Sequence, residues 1–100
     1  IIILRLWYFF FCLMKISTWN VNSVNARIES LEKFIKQDQS DIYLLQELKT
    51  IEDGFPKELI KKMGYISYVN GQKAWNGVAI LSKNHLNITN TSIPKYDDPN

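Results

Sequence analysis

Asp41-Ile42-Tyr43-Leu44-Leu45-Gln46-Glu47 is the stretch on which the fold turns. Its continuous apolar run, Ile42 to Leu45, closed by an amide and a carboxylate, has the length and pattern of a buried parallel strand. Asp38-Gln39-Ser40 forms a polar break before it. Upstream of that break, Val24, Ile28, Leu31 and Ile35 recur at helical spacing with Phe34 on the same face, which predicts a helix over 23–37, capped by Asn22 or Ser23. Further back, residues 15–20 alternate Ile16 and Thr18 with Ser17 and Trp19, the period-two signature of a strand. The three elements make a β-α-β unit whose strands run parallel.

Downstream, Phe55-Pro56-Lys57-Glu58-Leu59-Ile60-Lys61-Lys62-Met63-Gly64 reads as a second helix, with Pro56 at the first helical position and Gly64 just past the end. Residues 65–70 and 77–83 form two strand patterns joined by Gly71-Gln72-Lys73-Ala74-Trp75-Asn76, a hairpin with a long loop. Residues 86–93 predict one more strand. The fold class is α/β, with no internal repeat and no low-complexity linker.

With 100 residues, 46% hydrophobic and 22% charged, the chain has the composition of one small globular domain rather than a disordered, collagenous or coiled-coil protein. A net charge of +2 is too small to argue for nucleic-acid binding by itself. The single cysteine, Cys12, leaves no internal disulfide and no Cys-based zinc site, which fits a reducing, cytoplasmic setting. Residues 1–13 are an apolar leader interrupted by Arg5, shorter than the roughly 18 to 20 residues of a membrane span and without the marks of a secretion signal. Met14-Lys15-Ile16 then opens the strand pattern, so the domain is expected to occupy 14–100, with residues 1–13 upstream of the true start. The polar run Tyr96-Asp97-Asp98-Pro99-Asn100 has no closing element after it, and truncation is expected there.

A parallel crossover brings Asn20 and Glu47 out together at the carboxyl edge of the sheet, where open α/β folds place ligands. An amide oxygen and a carboxylate there are hard ligands suited to magnesium that keeps its waters and meets phosphate. The same residues at strand ends also serve as caps, turn formers or solvated termini. Other chemistry is missing: the sequence has no glycine-rich phosphate loop and no Gly-x-Ser-x-Gly elbow, and the lone histidine, His85, lies in a polar turn. Lys57, Lys61 and Lys62 read as a solvated helix face. Trp75, between Lys73 and Asn76, is placed either to stack on nucleic acid or to pack beneath its loop.

Met14-Lys15-Ile16-Ser17-Thr18-Trp19-Asn20-Val21-Asn22-Ser23-Val24-Asn25-Ala26-Arg27, Asp41 through Lys49, Gly64-Tyr65, Gly71-Gln72-Lys73 and Gly77-Val78-Ala79-Ile80-Leu81-Ser82-Lys83 resemble, in order and spacing, successive blocks of the exonuclease III family of the endonuclease/exonuclease/phosphatase superfamily. The resemblance covers everything from Met14 to about Asn100, and several blocks together are far more specific than any one. It implies the N-terminal portion of a four-layer α/β sandwich, in which two sheets pack face to face with helices outside. It also implies divalent-metal-dependent cleavage of DNA at abasic sites and trimming of 3′ ends, with magnesium as the usual metal and manganese as the alternative. In that pattern Glu47 binds the metal and Asn20 supports the same pocket. Asn22 and Lys49 support the site, while Ala26 and Trp75 fall where DNA is touched. The expected partner is duplex DNA with abasic sites or 3′ ends, met by a monomer.

The family's Gly-Asp-x-Asn and Ser-Asp-His blocks, and the tyrosine between them, do not occur in this sequence. The general base and the phosphate-binding histidine are therefore missing, and no phosphodiesterase activity is expected of these 100 residues alone. Leu48 replaces a common threonine without consequence for Glu47, whereas Asn25 replaces a common arginine and removes one phosphate contact. The alternatives are a superfamily phosphatase or phosphodiesterase acting on a non-DNA ester and a non-catalytic remnant. The Asn-Val-Asn start and the glycine-flanked blocks favour the DNA-acting branch.

Overall fold

The computed structural model describes residues 14–71 and 76–87. In chain order the elements are β1 (Ile16–Asn20), α1 (Ile28–Asp38), β2 (Ile42–Gln46), α2 (Lys57–Lys62), β3 (Ile66–Asn70) and β4 (Val78–Ser82). Short 3₁₀ turns at Asn25–Arg27 and Glu52–Gly54 precede the two helices. The expected β-α-β unit is present: β1 and β2 pair in parallel with Ile16 opposite Ile42 and Asn20 opposite Gln46. The hairpin is present too, with β3 and β4 antiparallel. Its second strand inserts beside β2, giving the order β1-β2-β4-β3.

Side chains alternate across this sheet. Tyr43, Leu45, Ala79 and Leu81 point to one face, where Leu31 and Ile35 of α1 and Ile60 of α2 close over them. Trp19, Phe34, Tyr43 and Tyr65 form a chain of edge-to-face ring contacts with centroids 5.3–5.7 Å apart, a favoured aromatic geometry. The other face is open. Ile16, Leu44, Ile66 and Val78 lie there with 56, 37, 41 and 51% of their surfaces exposed. The apolar run of β2 predicted a strand buried on both faces; Tyr43 and Leu45 are buried and Leu44 is not, because among the described residues helices cover one face of the sheet.

The helix over 23–37 is shorter than its periodicity implied. Val24, Leu31 and Ile35 are buried as expected, but regular α-helix begins at Ile28 and no side chain caps it. Asn22 and Ser23 both adopt left-handed backbone (φ 45° and 81°) instead of an N-cap conformation. The amides of Ser23 and Val24 donate to Glu47 and Leu48 carbonyls, at 2.9 and 3.0 Å. Donors that a cap would satisfy are spent on a neighbouring loop. At its other end α1 stops on left-handed Gln39, whose N–H reaches the Ile35 carbonyl at 3.0 Å. Pro56 stands at the N-cap of α2 and not at its first helical position, because regular helix begins at Lys57, while Gly64 (φ 92°) follows the helix as expected. Leu86 and Asn87 are irregular, and the remainder of the strand expected over 86–93 lies outside the described residues, as do residues 1–13 and Trp75.

A polar cluster locks the amino edge of the sheet. Asp38 takes Lys15 Nζ at 2.7 Å and the Ser17 hydroxyl at 2.8 Å, and the buried Ser40 hydroxyl also donates to it. The Ser40 N–H donates to the Tyr43 hydroxyl at 3.0 Å, and the Tyr65 hydroxyl donates to the Ser40 carbonyl. Hydrogen bonding from Lys15, then from Ser40 and Ser17, holds the Asp38 carboxyl well below the usual carboxylate range. A depressed folded-state pKa adds stability above the unfolded value of about 3.9 and loses it as pH falls toward the folded value. Asp38→Asn is therefore expected to lower the urea midpoint of the full chain at pH 7 and to differ less from the parent at pH 3. An equal deficit at both values would contradict the assignment.

Candidate active site

Beyond their last paired residues β1 and β2 do not part. Val21 N–H donates to the Gln46 carbonyl at 3.0 Å, and the Ser23 and Val24 bonds already described extend the ladder through Leu48. On the other side, Leu48 and Lys49 N–H donate to Gly77 and Asn76 carbonyls at 3.2 and 2.9 Å. Residues 47–49 are thus held between two loops. Buried Val21, Val24 and Leu48 anchor the assembly in the core. Leu48 turns inward, leaving Glu47 and Lys49 at the partly exposed rim.

Four residues at this rim have left-handed backbone: Asn22 and Ser23 on one loop, Glu47 (φ 54°) and Lys49 (φ 55°) on the other. Asparagine tolerates that region, but glutamate, lysine and serine do so at a cost, and such conformations cluster where side chains must be aimed. Three of them, Asn22, Glu47 and Lys49, are joined through Asn20 and the Asn22 N–H in a chain of hydrogen bonds. The Asn20 amide nitrogen donates to the Glu47 carboxylate, and the Asn20 oxygen accepts the Asn22 N–H at 3.2 Å. Lys49 Nζ donates to the Asn22 side-chain oxygen. Behind them Gln46 reaches Thr18 Oγ1 and the Leu44 carbonyl, each at 2.8 Å, fixing the end of β2.

The structure thus brings Asn20, Asn22, Glu47 and Lys49 into one constellation. Ala26 is exposed on the 3₁₀ turn just after it. Trp75 falls outside the described residues. Glu47 is the carboxylate of the set, and the Asn20 nitrogen engages one of its oxygens; amide and carboxylate oxygens are the donors a hard divalent cation accepts. Among the described residues no three His, Cys, Asp or Glu side chains converge, so a cation here would need waters, phosphate or further protein ligands to complete its shell.

Gly71, Asn76 and Gly77, expected as parts of the hairpin and its flanking blocks, also grip the Glu47 loop. A β-carbon on Gly71 would lie 2.5 Å from the Thr50 carbonyl oxygen and 2.9 Å from Glu52 N, so only glycine lets the hairpin approach the backbone of residues 50–52. Asn25 Nδ2 adds a bond to the Gly54 carbonyl at 3.1 Å from the opposite side. The glycines flanking an apolar strand were the available signal.

Residues 17–100 match the model of the Endonuclease/Exonuclease/phosphatase family. The chain belongs to this family. Within it, the chain is 36% identical over 81 residues to exodeoxyribonuclease III of Haemophilus influenzae, covering 81% of this chain and 30% of that protein. A 3′-5′ exonuclease from Neisseria meningitidis superposes with a TM-score of 0.67 at 46% identity, over 70% of this chain and 27% of that one. An AP endonuclease from Archaeoglobus fulgidus gives 0.70 at 36% identity, over 72% and 28%. The chain therefore spans less than a third of the length of these family members. The two solved structures share its mixed sheet and helices, and all three proteins are nucleases by name. No helix among the described residues is long and apolar enough to cross a membrane.

Proposed function

We propose that this chain carries the Glu47 half of the active site of a divalent-metal-dependent DNA nuclease, one that cuts at abasic sites and trims 3′ ends in the cytoplasm. The observation that supports it is the Asn20–Glu47–Asn22–Lys49 constellation, built on strained backbone at the carboxyl edge of the sheet. Glu47 is the carboxylate that holds magnesium, or manganese in its place. Asn20 orients that carboxylate through its amide nitrogen, and its oxygen reaches the same centre only with the amide turned over. Lys49 fixes Asn22 and adds positive charge beside the phosphate path, Ala26 lies on the neighbouring turn, and Trp75 is the further DNA contact of this reading.

When bound, the metal neutralises charge on the scissile phosphate and on the leaving 3′ oxygen. What these residues do is hold the metal site in place and align the strand. The tight ladder around residues 47–49 means little rearrangement is needed on binding. The Gly-Asp-x-Asn and Ser-Asp-His blocks do not occur in this sequence, and without the base they would supply the 100 residues alone are expected to leave abasic duplex intact at any magnesium concentration.

A chimaera tests the reading. Residues 17–100, the stretch that matches the family, would replace the corresponding portion of the Haemophilus influenzae exodeoxyribonuclease III. Magnesium-dependent cleavage of an abasic duplex is expected. A folded chimaera that binds the duplex and never cuts it would reject the proposal, and cleavage of a simple phosphomonoester in preference to DNA would favour a phosphatase.

A further inference from the structure

At the amino end of β2, across the strand from Glu47, the carboxyl ends of α1 and α2 and the end of β4 enclose a groove of about 430 Å³. Ile35, Met63 and Tyr65 form its floor, and Lys36, Lys62 and Lys83 stand on its rim. All three lysines are exposed. Among the described residues Lys36 meets Glu32 at 3.4 Å and Lys83 the Gln39 carbonyl at 3.5 Å, with its ammonium 6.0 Å from the Tyr65 ring. Lys62 makes no ion pair among the described residues.

We infer that this groove docks a short acidic segment of a partner protein, one apolar side chain resting on Met63 between carboxylates that meet Lys36, Lys62 and Lys83. The volume suits one large side chain with its flanking backbone. Methionine adapts to the shape of such a side chain. Three exposed cations around one open depression favour a ligand that presents negative charge at spaced points.

Nucleic acid fits less well. Single strands bind along stripes of charge interleaved with exposed aromatics, whereas Tyr65 is only 4% exposed and Glu32, Asp38 and Asp41 interrupt the positive surface. Five-residue β2 also separates the groove from Glu47 by about 17 Å, so a duplex seated at the carboxyl edge does not cover it. The inference is independent of the nuclease reading.

The test is an amide-shift titration of the isotopically labelled full chain with acetyl-Glu-Glu-Leu-Glu-Glu-amide and, in parallel, with a thymidylate dodecamer. The peptide is expected to move the amides of Lys36, Gln39, Lys62, Met63 and Lys83 while Glu47 stays in place, and to bind more weakly at 0.5 M salt, roughly as screening of exposed pairs requires. Lys62→Glu combined with Lys83→Glu should weaken it about tenfold, and the neutral pair Lys62→Gln with Lys83→Gln about threefold, with the remaining amides unmoved. Replacing the peptide's leucine with alanine should also weaken binding. Movement of the groove amides by the oligonucleotide and not by the peptide would overturn the inference, as would peptide shifts centred elsewhere or unchanged by both double variants.

Discussion

Glu47→Gln in the chimaera is expected to cut abasic-site cleavage by more than about 100-fold while leaving duplex binding and thermal unfolding nearly unchanged. Glutamine keeps the size of the side chain and an oxygen for the Asn20 amide, so the bond that positions residue 47 survives. What disappears is the negative charge, and with it the strongest reason for a hard cation to remain. Asn20→Ala should cost less, about 10- to 100-fold, the range for losing a partner that orients a metal ligand. It should also be partly rescued by raising magnesium, because Glu47 keeps its charge. Equal losses in the two variants would mean that Asn20 binds the metal as strongly as Glu47. Full activity of Glu47→Gln would remove the metal assignment altogether.

Gly71→Ala is expected to be the most disruptive single-methyl change in the described part of the chain. The added carbon meets Thr50 O, Ile51 C and Glu52 N within 2.9 Å, all backbone atoms with no rotamer to give. Relief requires the hairpin to move away from residues 50–52, and overpacking of this kind costs about 1–3 kcal/mol. The movement reaches the site because Asn76 and Gly77, at the far end of the same loop, accept the Lys49 and Leu48 N–H groups. A lowered unfolding midpoint should therefore accompany amide shifts at Leu48 and Lys49 and weaker metal binding. A destabilised protein whose Leu48 and Lys49 resonances and metal affinity were unaltered would confine Gly71 to a purely structural role.

Which parts of this were legible in the sequence follows from how local the cause is. Strand β2 announces itself because four apolar residues in a row leave few alternatives, and α1 because Leu31 and Ile35 must share one face. The juxtaposition of Asn20 and Glu47 follows from parallel pairing alone. The start of α1 is not legible, because Asn22 and Ser23 have ideal capping chemistry, yet their conformation is decided by Glu47 and Leu48, more than twenty residues away. Left-handed backbone at Glu47 and Lys49 had no sequence signal, since neither residue favours it; the two flanking loops impose it. The hairpin was legible, but the insertion of β4 beside β2 was not, because periodicity within a strand says nothing about its neighbour. Exposure of Leu44 contradicts a fully buried β2 and leaves an apolar sheet face of the kind a face-to-face second sheet covers.

The most direct measurement of the central claim needs no turnover. Manganese titrated into the labelled 100-residue chain broadens amide signals by proximity, and the account predicts that broadening is centred on Glu47 and Asn20, extends to Asn22 and Lys49, is reversed by excess magnesium and is lost in Glu47→Gln. Broadening centred instead on Asp38 and Asp41 at the opposite edge of the sheet, or on Glu52 and Asp53, and indifferent to Glu47→Gln, would contradict it.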